Sequence, residues 1–230
     1  MAILFVPGFM LDADLWREVE PMLRVYGPAF HADLSKDASI ADMARRALAS
    51  TPSNFVLIGF SMGGYVAREI VRQAPERVSA LILIATSARE GGAAHGRRRA
   101  AIGQHTPPEA FKGLSSAVIK SSLHPDNADR EDIISSIQAM GQRLGLAVFE
   151  RQSLLVRRDE RGELSSIKCP SLIIAGSHDK LRSREESVEL HKELVGSSFV
   201  VIEGVGHMIP LEAPRSLSEV IIGWLPGSAR

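Results

Sequence analysis

Ser61 stands in Gly59-Phe60-Ser61-Met62-Gly63-Gly64, a G-x-S-x-G turn that directly follows the apolar run 55–58 and opens an amphipathic stretch near Tyr65. Glycines on both flanks let such a strand-to-helix turn pass close to its neighbours and hold the serine hydroxyl out as a nucleophile. A hydroxyl attacks only when a base takes its proton, and the base needs an acid to hold its tautomer. His207 follows the apolar run 199–202 through Glu203-Gly204-Val205-Gly206, in a loop at a strand's carboxyl end, the edge where open α/β sheets carry their sites. Asp179 ends Leu172-Ile173-Ile174-Ala175-Gly176-Ser177-His178-Asp179, another strand and loop, and falls between Ser61 and His207 in chain order. The other place for an acid, after the run 81–84, reads Ala85-Thr86-Ser87-Ala88-Arg89 and holds no carboxylate. His31, His95, His105, His124 and His191 read as surface or satisfied core residues, and His178 as a neighbour of the acid that points away.

Acyl transfer also needs donors aimed at the developing oxyanion, each worth about 10² to 10³ in rate. The backbone amide of Met62, at the start of the helix after the serine, is one expected donor. The second is the amide of Phe9 in Pro7-Gly8-Phe9-Met10, the loop after the first apolar run. Phe9, Met10, Met62, Tyr65, Met208 and Ile209, with the apolar faces of the helices expected within 89–164, should wall the pocket, which favours a small or medium apolar acyl group.

These positions make sense only on a particular scaffold. Runs 3–6, 55–58, 81–84, 172–175 and 199–202 are continuously apolar, too short for helices and bounded by Gly, Pro or Ser, as strands buried on both faces are. A weaker strand is expected within 25–31. Between them, 40–49, 65–73, 185–194 and 214–225 return apolar residues at helical spacing. Alternating strand and helix predicts an α/β fold: a mainly parallel sheet of about six strands with helices on both faces. The alternation stops over 89–164, a segment with Gly91-Gly92, Arg97-Arg98-Arg99 and Pro107-Pro108 and then helical patterns such as Ile133, Ile134, Ile137, Met140 and Leu144. A structureless loop of that length is improbable, so 89–164 is expected as a helical cap inserted into a single domain spanning 1–230.

Composition narrows the partners. Among 230 residues, 27 Lys and Arg balance 27 Asp and Glu, which argues against nucleic acid or an anionic membrane surface as a partner. No apolar run approaches the roughly 18 residues of a membrane span, and the amino terminus lacks a cationic stretch and a cleavage site. A soluble cytoplasmic protein acting on a small molecule is expected, its oligomeric state left open. The single cysteine, Cys169, precedes Pro170 at a strand start, where a buried small side chain is expected. No paired metal-ligand spacing and no glycine-rich phosphate fingerprint follow the first strand, so neither metal nor organic cofactor is expected.

Taken together, these motifs resemble the α/β-hydrolase superfamily, in particular its small bacterial esterases and cofactor-free haloperoxidases. Val6-Pro7-Gly8-Phe9-Met10-Leu11-Asp12-Ala13-Asp14-Leu15-Trp16 looks like their oxyanion loop, Gly59 to Gly64 their elbow, Gly176 to Asp179 their acid loop, and Gly206-His207 with Glu212-Ala213-Pro214 their histidine loop. The resemblance implies Ser61 as nucleophile, His207 as base, Asp179 as orienting acid, and Phe9 with Met62 as oxyanion donors. It also implies a sheet that starts at the family's third strand, without the amino-terminal hairpin. Pro7 stands where the family usually has histidine, and a serine at position 61 excludes the branch that needs a carboxylate nucleophile.

The leading expectation is a serine hydrolase that cleaves a carboxylic ester or lactone through an acyl-enzyme. An alternative is carbon-carbon cleavage or elimination on an acidic metabolite, held by one of Arg89, Arg97, Arg98, Arg99, Arg151, Arg157 or Arg158. A second alternative is a ligand receptor that keeps the fold with negligible turnover.

Overall fold

The apolar runs pair side by side because no helix of their length could bury them on both faces. A computed structural model describes residues 2–91 and 110–225; His95, His105 and the arginine cluster 97–99 lie outside the described residues. Six strands form one sheet among the described residues: β1 (Ala2–Val6), β2 (Ala29–His31), β3 (Phe55–Phe60), β4 (Val78–Ile84), β5 (Ser171–Gly176) and β6 (Ser198–Ile202). Their order is β2-β1-β3-β4-β5-β6 and every pairing is parallel. The weak strand expected over 25–31 exists only from Ala29, because Arg24–Tyr26 closes a 3-10 turn and Gly27, at φ 138°, breaks the extended path.

Alternation along the strands divides the core into two layers. Ile3, Phe5, Val56, Ile58, Phe60, Ala80, Ile82, Ile84, Leu172 and Ile174 pack on one face. Leu4, Val6, Phe55, Leu57, Leu81, Leu83 and Ile173 pack on the other. Helices cover both faces: α1 (Glu20–Leu23), α8 (Ile209–Glu212) and α9 (Pro214–Trp224) close the first layer, and α2 (Ile40–Ala49), α3 (Met62–Gln73) and α7 (Arg184–Glu193) the second. Side-chain caps start two of them. Ser39 accepts from Asp42 N–H ahead of α2, and Ser183 with Glu186 forms a capping box ahead of α7.

Between β4 and β5 the chain leaves the sheet and runs through α4 (Ser116–Ser122), α5 (Glu131–Leu144) and α6 (Leu146–Ser153). The two ends of this excursion are tied together where they rejoin the sheet. Glu160 N–H donates to Ala88 C=O at 2.8 Å and Gly91 N–H to Arg157 C=O at 3.3 Å. Beneath them Arg68 of α3, almost fully buried, pairs with Glu160 at 2.7 Å and donates to Ser87 C=O at 2.9 Å. Because all strands run one way, the loops after β1, β3, β5 and β6 emerge at the same carboxyl edge.

Candidate active site

The G-x-S-x-G turn folds as a sharp elbow between β3 and α3, with Ser61 at φ 52° and ψ −112°. A non-glycine residue with positive φ stores backbone strain of about 1 to 3 kcal/mol, here held by three hydrogen bonds. Ser61 N–H donates to Ile84 C=O at 2.9 Å, while Ser61 C=O accepts from Gly64 N–H at 3.0 Å and from Thr86 Oγ1 at 2.7 Å. Gly63 is needed because the loop after β1 crosses directly over it: a Cβ there would sit 2.3 Å from Val6 O and 2.4 Å from Pro7 O. Met62, with its N–H in the first turn of α3, follows at the positive end of the helix dipole.

His207 lies in the loop between β6 and α8 and is 5% exposed. Its Nε2 is 2.9 Å from Ser61 Oγ and its Nδ1 is 2.7 Å from Asp179 Oδ2. A carboxylate only accepts, so Nδ1 carries the proton and Nε2 is left to accept from the serine hydroxyl. The Asp179 side chain is buried and its second oxygen, Oδ1, accepts from Leu181 N–H and Arg182 N–H, both at 2.8 Å. Oδ2 is thereby directed at the imidazole. Such a chain can move a proton from Ser61 Oγ to Nε2 while the ring stays oriented. His178, next in sequence to the acid, instead meets Ser177 Oγ through Nδ1 at 2.8 Å and stands edge-on to the His124 ring.

A cavity of about 470 Å³, counting its open mouth, reaches Ser61 and His207. From the sheet side it is lined by Phe9, Leu11, Phe60 and Met208, and from the helical excursion by Leu114, Val118, Ile119 and Ile137. Among the described residues His207 is its only charged or titratable lining group. The expected wall is therefore partly different. Met10, Met62, Tyr65 and Ile209 are buried and are not among the cavity's lining residues. Tyr65 is drawn away by the hydrogen bond from its hydroxyl to Arg89 C=O at 2.6 Å and by Arg68 over its ring. A separate cavity lined by Arg68, Arg72, Glu160 and Glu163 contains neither Ser61 nor His207.

The family model of the alpha/beta hydrolases matches residues 3–220, nearly the whole chain. The chain belongs to the alpha/beta hydrolase family. It is 25% identical over 237 aligned residues to a pimeloyl-[acyl-carrier protein] methyl ester esterase of Pectobacterium carotovorum subsp. carotovorum (strain PC1), covering 96% of this chain and 93% of that one. It is 30% identical to the esterase of the same name from Neisseria meningitidis serogroup C, over 89% of this chain and 86% of the relative. Among solved structures, the enol-lactonase from Burkholderia xenovorans LB400 superposes with a TM-score of 0.84 at 19% identity, over 96% of this chain and 90% of that one, a likeness of fold.

Two polar residues of this alpha/beta hydrolase bear on the site although the sequence assigned neither a role there. Glu212 accepts four hydrogen bonds: Oε1 from Gly206 N–H and Met208 N–H, each 3.1 Å, and Oε2 from His124 N–H at 2.7 Å and Asn127 Nδ2 at 3.0 Å. It thus grips the residues on either side of His207 and the chain just after α4. Gln152 of α6, 1% exposed, accepts from Met10 N–H at 2.9 Å and donates to Leu34 C=O at 3.2 Å. Glu212 stands in a sequence motif with nothing to mark its four donors; Gln152 has no local signal at all. Cys169, expected buried, is half-buried at the start of β5, and burial pushes its thiol pKa up. Among the described residues no cluster of His, Cys, Asp and Glu fits a metal, and no helix is long and apolar enough to cross a membrane.

Proposed function

We propose that the protein hydrolyses a carboxylic ester or lactone of a small or medium apolar acyl group through an acyl-enzyme on Ser61. The observation that carries this reading is the continuous hydrogen-bonded path from Asp179 Oδ2 through His207 to Ser61 Oγ, at 2.7 and 2.9 Å, opening on an apolar cavity. Ser61 Oγ attacks the acyl carbon as His207 Nε2 takes its proton, and Asp179 holds the imidazolium that forms. The oxyanion lies between the backbone N–H groups of Phe9 and Met62. Collapse breaks the ester bond, the alcohol leaves with the proton from Nε2, and water repeats the sequence to release the acid and restore the serine. Residues 89–164 act as a cap, whose α4 and α5 supply the outer wall of the pocket, within a single domain of 1–230. No metal or organic cofactor takes part, and the protein works in the cytoplasm on a small molecule.

The activity named for the curated relatives, on the methyl ester of pimeloyl-acyl carrier protein, makes a methyl ester of an aliphatic acyl chain the first natural-type substrate to try. Among the described residues nothing favours an acidic metabolite. Of the cap arginines among the described residues, Arg89 pairs with Glu189, Arg151 donates to Ser35 C=O, Arg157 lies over the Tyr65 ring and Arg158 pairs with Glu163. None of them lines the cavity. The test is hydrolysis of a p-nitrophenyl ester series from acetate to decanoate, with intact mass after a fluorophosphonate probe on wild type and Ser61→Ala. Turnover and labelling that both vanish in the variant support the reading. Labelling without turnover on any ester supports the receptor alternative instead.

A further inference from the structure

The turn that carries the Phe9 amide is not held by its own residues alone. Leu11 N–H closes it onto Gly8 C=O at 3.3 Å, which makes Phe9 and Met10 its central pair. Met10, the second of them, has φ 56°, whereas Phe9 is not among the positive-φ residues. This is the pattern of a type II turn, whose third position normally takes glycine or asparagine because only they enter the left-handed region cheaply. A methionine there, fully buried, would relax if the peptide between Phe9 and Met10 rotated over. The N–H of that peptide is the group that donates to Gln152 Oε1 at 2.9 Å. The other end of the same side chain is anchored, with Nε2 donating to Leu34 C=O at 3.2 Å. A fully buried amide with both ends satisfied across two loops is a rigid strut.

We infer that Gln152 is a positioning residue: from the cap it locks the Phe9–Met10 peptide, and so holds in one conformation the whole turn that carries Phe9 beside Ser61. The inference rests on the serine-hydrolase reading above. Phe9 and Ser61 line the same cavity, so a turn released from its strained form by rotation of the Phe9–Met10 peptide can shift the Phe9 backbone relative to the reacting centre. Interactions made only in the transition state act on kcat and leave KM alone. Loss of the strut must therefore appear in kcat.

Gln152→Met keeps the length and bulk of the side chain and removes both hydrogen bonds, whereas Gln152→Glu keeps an acceptor for Met10 N–H. Both variants, with wild type and Ser61→Ala, are assayed on the best p-nitrophenyl ester after circular dichroism has fixed the folded fraction. Gln152→Met is expected to lower kcat on the order of 10- to 100-fold, the size of a weakened oxyanion donor, with KM within about twofold and an unchanged pH profile. A trifluoromethyl ketone analogue should lose affinity by the same factor as kcat, and Gln152→Glu should recover most of the rate. A kcat for Gln152→Met equal to wild type, a loss confined to KM, or equal losses in both variants would overturn the inference while Ser61→Ala remains inactive. Turnover that persists in Ser61→Ala would overturn the serine reading itself and the inference with it.

Discussion

At the scale of the residue, Ser61, His207 and Asp179 form one hydrogen-bonded unit and should fail as one. Ser61→Ala and His207→Ala are each expected to remove nearly all turnover, and the double variant to lose little more. Near-additive losses in kcat would refute a shared mechanism. In Asp179→Asn the new amide still accepts from Leu181 N–H and Arg182 N–H through one oxygen, but its NH₂ faces His207 Nδ1 where Oδ2 stood. That arrangement favours the wrong imidazole tautomer, so kcat should drop by about 10⁴ with the melting temperature nearly unchanged. Full activity in this variant would move the orienting acid elsewhere.

At the scale of the element, the histidine loop and the end of α4 form one structure. His207 N–H donates to Ser122 C=O at 2.7 Å, and a Cβ on Gly206 would come within 2.5 Å of the Leu123 carbonyl carbon. Glu212 closes the same contact from below with its four accepted hydrogen bonds. Glu212→Ala leaves those donors without a carboxylate, and urea unfolding should show a loss of about 2 to 4 kcal/mol. Glu212→Gln, which keeps one acceptor oxygen, should fall between. An unfolding free energy unchanged in the alanine variant would mean that water replaces the carboxylate without penalty. The strands and most helices follow from local sequence, with apolar runs between Gly, Pro and Ser and helical spacing behind Ser39 and Ser183. The second strand was shorter than its apolar stretch, because one glycine conformation outweighed residue preference there.

At the scale of the whole molecule, a seam of charges joins the two ends of the excursion between β4 and β5 to the sheet layer. Arg89 enters it from after β4, Asp159 and Arg161 from before β5, and Glu189 from α7. The Arg161 guanidinium on Asp159 holds that carboxyl down to about 2, and Arg89 holds Glu189 below its ordinary value. A carboxylate with a depressed folded-state pKa contributes stability that is complete above the ordinary carboxylate range and is lost as pH falls through the depressed value. Wild type should thus lose stability between about pH 4 and 2 more steeply than Arg161→Ala, and the two should converge near pH 2. Urea unfolding at pH 7, 4 and 2.5 reads this directly, and parallel curves would show that the exposed seam contributes nothing measurable.

What the sequence alone determined are features decided within one turn or one strand. The elbow around Ser61 is a contiguous motif, and His207 and Asp179 each stand at a fixed short distance past an apolar run, so a parallel sheet necessarily delivers all three to one edge. The tertiary structure alone decided what surrounds them. Met10, Met62, Tyr65 and Ile209 turned into the core where the sequence reading put pocket wall, and which residues of the helical excursion face the cavity, Leu114, Val118, Ile119 and Ile137, was set by the packing. Gln152 reached a backbone amide 142 positions earlier and Glu212 one 88 positions earlier. Contacts between segments so far apart leave no local pattern, because they depend on how the helical excursion seats against the sheet and not on the residues next to them in the chain.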